Sequence, residues 1–273
     1  MTRWGGFDKS PLAYLFAVML TNQFFGLPLA VLPTALTFSP EGCALVAAAG
    51  DRVDAYMPQV QVIGATAILP ISGYILKGYG GYYGCDLHYL DRMIDNIAND
   101  PMIKNVIVDV NSGGGMTPGV DTTARKITDL ALAGKRTYAY TDTMAASAAY
   151  WMIAGCQKIV ANPTAILGSI STLMVAYDYS KQLEDNGIVA KVFRTGELKG
   201  AGVYGKPWTP EEEAAVERRM QFVDQKFKSF IAEKRGLSAQ HMNGDFWFAE
   251  NAPVGLVDAL ADSIEDLIVS LPQ

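Results

Sequence analysis

The sequence predicts an α/β fold built from parallel βαβ crossover units, and three observations predict it. Two short runs, Val106-Ile107-Val108-Asp109-Val110 and Lys158-Ile159-Val160-Ala161, have the apolar character of strands buried in a parallel sheet. Around and between them, apolar residues recur at helical spacing: Leu87, Leu90, Met93, Ile94 and Ile97, then Val120, Ala124, Ile127 and Leu130. Strand and helix alternate at a pitch that suits right-handed crossovers with helices on both faces.

The elements follow in order. Residues 1–58 read as an apolar segment and a linker, and residues 59–273 as one domain. Residues 10–40 carry no charged side chain and follow Arg3 and Lys9, the pattern of a membrane anchor. Against this, Thr21-Asn22-Gln23 interrupts the apolar run well short of the roughly 20 residues a span needs. A buried or assembly-contacting segment is therefore preferred, with membrane contact by residues 12–36 as the alternative, and no secretory cleavage site follows. Strands punctuated by Pro70 and Gly73 fill 60–73, a loop of Gly and Tyr follows to Gly84, and a helix begins near residue 87. The 106–110 strand ends in Asn111-Ser112-Gly113-Gly114-Gly115, a helix over 118–133 closes at Gly134, and a strand fills 135–140. Thr209-Pro210-Glu211-Glu212 opens a long helix with a capping box, packing through Val216, Met220, Val223, Phe227 and Phe230 and ending at Lys234-Arg235-Gly236. A last helix runs through Leu267.

Composition narrows the function. Half of the 273 residues are hydrophobic and 18% are charged, which calls for a large core. A net charge of −6 without a basic block argues against nucleic acid as partner. Cys43, Cys85 and Cys156 fit neither a zinc spacing nor a disulfide framework, and His88 and His241 have no ligand spacing, so no metal and no cofactor is expected. A cytoplasmic setting follows, with inner-membrane association as the alternative.

The stretch Thr141-Asp142-Thr143-Met144-Ala145-Ala146-Ser147-Ala148-Ala149-Tyr150-Trp151 places one serine between a strand and a buried helix. That is how a nucleophile is presented at the end of a sheet, and it is also what an ordinary helix start looks like. Ala145, Ala146, Ala148 and Ala149 read as clearance around it for a substrate strand and an incoming base. Gly113, Gly114 and Gly115 offer backbone N–H groups that suit an oxyanion hole or a tight turn; a phosphate loop lacks its GKS/T or G-x-G-x-x-G pattern. A serine hydroxyl needs a base, and neither histidine has an acid–base setting. Lys199, in Gly196-Glu197-Leu198-Lys199-Gly200, is the candidate: a lysine serves when burial lowers its pKa. Read alone it is a solvated loop lysine. Ser169, in Gly168-Ser169-Ile170, either orients that amine or caps a turn.

Taken together, the strand and glycines at 107–115, Ala145-Ala146-Ser147-Ala148-Ala149-Tyr150-Trp151, Gly168-Ser169-Ile170, the 196–199 segment, Arg235-Gly236-Leu237-Ser238 and Ala252-Pro253-Val254-Gly255-Leu256-Val257-Asp258 resemble the S49 serine peptidases, the signal peptide peptidase A family, and its phage members in particular. The resemblance implies a ClpP/crotonase-like fold and a Ser–Lys dyad: Ser147 as nucleophile, Lys199 as base, Ser169 holding the lysine, and Gly114 and Gly115 binding the oxyanion. Gly113 stands where the family has proline, which implies a looser loop, and Ser171-Thr172 stands where it has Gly-Val, which implies a narrower groove. The resemblance also implies a polypeptide substrate, a homo-oligomeric ring in which the lysine can reach a neighbour's serine, and capsid or scaffold proteins as partners. With Gln273 the last residue, a scaffold is expected as a separate protein. A crotonase-type acyl-CoA enzyme, a membrane-associated signal peptide peptidase and an inactive assembly homologue are the rivals.

Overall fold

The computed structural model describes residues 59–78 and 84–272, which belong to one compact unit. The apolar 10–40 stretch and Cys43 lie outside the described residues. Among the described residues no helix is long and apolar enough to cross a membrane.

A six-stranded sheet organises the unit. Strand β1 (Gln61–Ile63) turns at Gly64 and runs antiparallel to β2 (Thr66–Ser72). From β2 onward the neighbours are parallel: β5 (Asn105–Asn111), β6 (Arg136–Thr141), β8 (Lys158–Ala161) and β11 (Ala259–Leu260), in the order β1-β2-β5-β6-β8-β11. Between β2 and β5 lie a small parallel pair, β3 (Tyr74–Leu76) and β4 (Gly84–Asp86), and helix α1 (Leu87–Asn99). Helix α1 starts where Asp86 accepts the His88 N–H at 2.8 Å, and it buries the predicted stripe Leu87, Leu90, Ile94 and Ile97. Both sheet faces are covered, which explains the apolar character of β5. Val106, Val108 and Val110 pack with the main helices, while Ile107 packs on the other face with Tyr140, Val160, Leu267 and Leu271.

Helix α2 (Val120–Asp129) is shorter than the predicted 118–133. After Asp129 the chain tightens into three-residue turns, Ala131 N–H to Thr128 and Leu132 N–H to Asp129, and Gly134 takes the left-handed conformation that returns it to β6. Three further strands, β7 (Met144–Ala146), β9 (Ile166–Gly168) and β10 (Phe246–Phe248), form a second sheet in the order β10-β9-β7. Helix α3 (Ala148–Ile153) leaves directly from β7, and Trp151 on it stacks on Phe227 with ring centroids 4.7 Å apart.

Between Ile170 and Glu212 no residue is buried. This arm contains one short helix, α4 (Ser180–Asp185), and returns into the long helix α5 (Pro210–Arg235). The predicted capping box of α5 forms, and Gly236 closes it at φ 64°. Phe227 and Phe230 are buried as expected, but Val216, Met220 and Val223 are only half-buried, because this half of the helix anchors the arm. Asp224 accepts from Ser171 Oγ at 3.2 Å and from the Thr172 N–H at 3.1 Å, and the Met220 carbonyl accepts from Thr172 Oγ1. Ser171 and Thr172 thus tie the arm to α5.

The Arg235 and 252–258 segments meet at the far end of α5. Arg235, 6% exposed, pairs with Asp258 at 2.7 Å and donates to the Gly255 carbonyl, while Asp258 also accepts from the Ile159 N–H of β8. Arg235→Ala removes a buried guanidinium and its bonds to the Gly255 carbonyl and to Asp258, whose carboxylate stays in contact with water, and is expected to cost about 1–3 kcal/mol, read as a shift in denaturant midpoint. The final helix α6 (Ile264–Ser270) caps the second face through Leu267.

Candidate active site

Two strand ends converge on Ser147. Beyond β5, the Ser112 N–H donates to the Met144 carbonyl at 2.9 Å and the Ser112 carbonyl accepts from the Ala146 N–H at 3.1 Å. This ladder lays the glycine loop beside β7. Gly114 adopts φ +104°, and a Cβ on it would fall 2.8 Å from Ser147 Cβ and 3.0 Å from the Ala148 nitrogen. Gly115 is equally constrained, since a Cβ there would enter the Ile75 backbone. Gly113 is not: an added Cβ meets only Met144 Sδ, at 3.4 Å. The loop is nonetheless well tied. Ser112 Oγ donates to the Gly73 carbonyl at 2.6 Å and accepts from the Gly114 N–H at 3.1 Å, and the Gly114 carbonyl accepts from Ile75. Side-chain and strand bonds thus hold the loop in place.

Ser147 sits on a sharp turn between β7 and α3, at φ 53° and ψ −124°. Its N–H donates to the Gly168 carbonyl at the end of β9, at 2.9 Å. One residue on, Ser169 has φ 52°, and its N–H donates to the Asp245 carbonyl at 2.6 Å. Ser147 and Ser169 are the only non-glycine residues with positive φ among the described residues. Such conformations cost about 1–3 kcal/mol each and persist where surrounding structure enforces them, characteristically at active sites. Here the end of β9 holds Ser147, and the Asp245 carbonyl ahead of β10 holds Ser169. Gly168 lies so close to the Trp247 ring that a Cβ would approach it to 3.0 Å, which fixes β9 against β10.

The four alanines do not line open space. Ala145, Ala146, Ala148 and Ala149 are all buried, so their small size serves close packing of β7 and α3, and the clearance predicted for them is not what they provide. Ser147 itself is half-buried between these buried neighbours.

Oxyanion donors can be sorted by what they already bind. The Gly114 N–H is engaged by Ser112, whereas the N–H groups of Gly113, Gly115 and Ala148 meet no acceptor among the described residues. Ala148 is a candidate donor that the sequence reading missed. The signal was available: the residue after a nucleophile at a helix start has an unused N–H.

Lys199 is not brought to this cluster. It is exposed; its N–H donates to the Gly196 carbonyl, and its carbonyl accepts from Arg194 at 3.5 Å. Among the described residues no hydrogen bond joins its amine to Ser147 or Ser169. The single chain therefore assembles Ser147, Ser169 and the three glycines, and leaves the desolvated setting expected for the base unmade. His241 bonds Ser238 Oγ through Nδ1 at 3.1 Å and meets Trp247 edge-on, and the His88 N–H caps onto Asp86. Among the described residues no three His, Cys, Asp or Glu side chains converge as a metal site.

A protein of Methanocaldococcus jannaschii, provisionally named a protease, is 31% identical over 69% of this chain and 61% of its own length. The capsid assembly protease C of Escherichia phage lambda is 27% identical over 77% of this chain and 49% of its own. The chain thus spans less than two thirds of either relative. Among solved structures, a membrane-bound stomatin-specific protease aligns over 77% of this chain and 85% of its own, with TM-score 0.49 and 14% identity. The profile of peptidase family S49 matches residues 130–271, a span that holds Ser147, Ser169 and Lys199. The chain belongs to peptidase family S49.

Proposed function

We propose that this chain is a serine endopeptidase that cuts unstructured polypeptide with Ser147 as nucleophile and Lys199 as base, residues 59–273 forming the peptidase domain. The observation that carries the reading is the enforced positive φ of Ser147 against the glycine loop. As Ser147 Oγ attacks the peptide carbonyl, the neutral Lys199 amine takes its proton. The tetrahedral oxyanion is held by the Ala148 N–H and a glycine-loop N–H, contacts worth about 10²–10³ in rate per donor. The lysine ammonium then protonates the departing amine; water, giving a proton to the lysine, attacks the acyl-enzyme, and the lysine returns that proton to Ser147 Oγ as the acyl product leaves. Ser169 supports the lysine amine.

The lysine is proposed to act across subunits in a homo-oligomeric ring. Lys199 is exposed on an arm whose Leu173, Val189 and Phe193 also face outward, Phe193 at 93% exposure. An arm without a core of its own is suited to packing on a second copy. Phage capsid maturation is the setting we favour, supported by the phage relative that covers most of the chain. Capsid and scaffold proteins are then substrates or partners in the host cytoplasm.

A mixing experiment tests this. Ser147→Ala and Lys199→Ala chains are each expected to leave casein uncut. Mixed and reassembled, they should regain cleavage, because one chain supplies the serine and the other the lysine. A mixture that stays inactive places the dyad within one chain, and a Lys199→Ala chain as active as wild type removes the lysine from the mechanism.

A further inference from the structure

The acid of the α5 capping box does more than cap. Glu212 is 0% exposed, and its two oxygens are shared between two cations of the arm. Oε1 accepts from Arg194 Nη1 at 2.7 Å; Oε2 accepts from Lys206 Nζ and from the Thr209 N–H at 3.2 Å. A capping box requires only the Thr209 contact. The Lys206 ammonium first, and Arg194 with it, outweigh burial and hold the carboxyl from its ordinary 4.5 down to about 2. A carboxyl lowered in the folded state contributes stability that is complete above about pH 4.5 and is lost as pH falls toward 2. The tie is therefore intact at neutral and mildly acid pH.

Arg194 and Lys206 bracket Lys199 in sequence, and Arg194 Nη1 also reaches the Lys199 carbonyl. The loop between them has Gly200, Gly202 and Gly205 at positive φ and no buried side chain, so its apolar contacts, such as Tyr204 with Tyr179 and Gly202 against Trp208, lie at the surface and form no core. Charge-assisted hydrogen bonds to a buried carboxylate are the strongest directional contacts it makes. We propose that Glu212 is a positioning residue for proteolysis: through Arg194 and Lys206 it fixes the loop that presents Lys199. This rests on the Ser147–Lys199 reading, whether the lysine serves its own chain or a neighbour. A structural cap alone predicts lost stability with an unchanged chemical step.

The test uses the 273-residue chain and casein. Glu212→Gln is expected to lower kcat about 10²-fold, the scale of a misplaced catalytic group, with KM within about twofold. Glu212→Asp, which keeps the charge, should recover most of that loss. The Arg194→Ala, Glu212→Gln double variant should be no slower than Glu212→Gln alone, because both cut one tie. Wild-type kcat in Glu212→Gln, or losses that multiply in the double variant, overturn the proposal. If Glu212→Gln does not fold, Arg194→Ala is read in its place, its side chain being 26% exposed, and wild-type kcat there overturns the proposal too. An inactive Lys199→Ala beside a fully active Glu212→Gln defeats the positioning inference alone; an active Lys199→Ala defeats the reading beneath it.

Discussion

Replacing Ser147 by glycine is expected to abolish peptide cleavage while raising the stability of the fold by about 1–2 kcal/mol. The two effects have one cause. At φ 53° and ψ −124° a side chain is strained, and the bonds from Ser147 to Gly168 and from Ala146 to Ser112 hold it there. Glycine relieves the strain, less about 0.4–1 kcal/mol for its freer unfolded chain. Ser147→Ala removes the hydroxyl but keeps the strain, so its stability should match wild type. Loss of the nucleophile should lower kcat by about 10³-fold or more. Cleavage assays beside denaturant titrations separate the outcomes. A glycine variant no more stable than the alanine one would show that the backbone at Ser147 is not strained, and an active alanine variant would remove Ser147 from the chemistry.

The glycine loop supplies the second large effect. Gly114→Ala is expected to cost about 2–4 kcal/mol and nearly all activity, combining an unfavourable φ with overpacking. Its new Cβ would sit 2.8 Å from Ser147 Cβ, and the backbone that would have to yield carries the nucleophile and the Ala148 N–H. Gly113→Ala is the contrast. With only Met144 Sδ at 3.4 Å, that change should stay within about 1 kcal/mol and leave cleavage within a few-fold. Equal losses at the two positions would mean that the loop is sensitive to any side chain, and that close approach to Ser147 is not what selects glycine.

The outline of the fold was legible because its signals are local. The apolar runs of β5 and β8, the stripe of α1 and the capping box of α5 each lie within one stretch of chain and form as read. Strands β7, β9 and β10 were not legible. Three residues each are too few to show a period of two, and they become strands only by pairing with one another. The end of α2 was misread because the residues after Asp129 are good helix formers that tertiary packing bends into turns. Glu212 was read as a cap and nothing more, since Arg194 lies 18 residues before it and the turn that brings Lys206 onto its carboxylate carries no local signal.

By itself, the sequence determined which residues could do chemistry: one serine flanked by alanines, three glycines after a buried strand, a lysine among glycines, all at spacings that resemble a peptidase family. It did so because side-chain type and local backbone preference are written residue by residue. Only the tertiary structure decided that Gly114 abuts Ser147, that both candidate serines are held at positive φ, that the alanines are packing, and that Lys199 stands exposed on an arm tied to α5. Each of those facts depends on bonds between segments distant in sequence, Ser112 to Met144, Ser147 to Gly168, Ser169 to Asp245 and Glu212 to Arg194, and such pairings exist only once the chain has closed on itself.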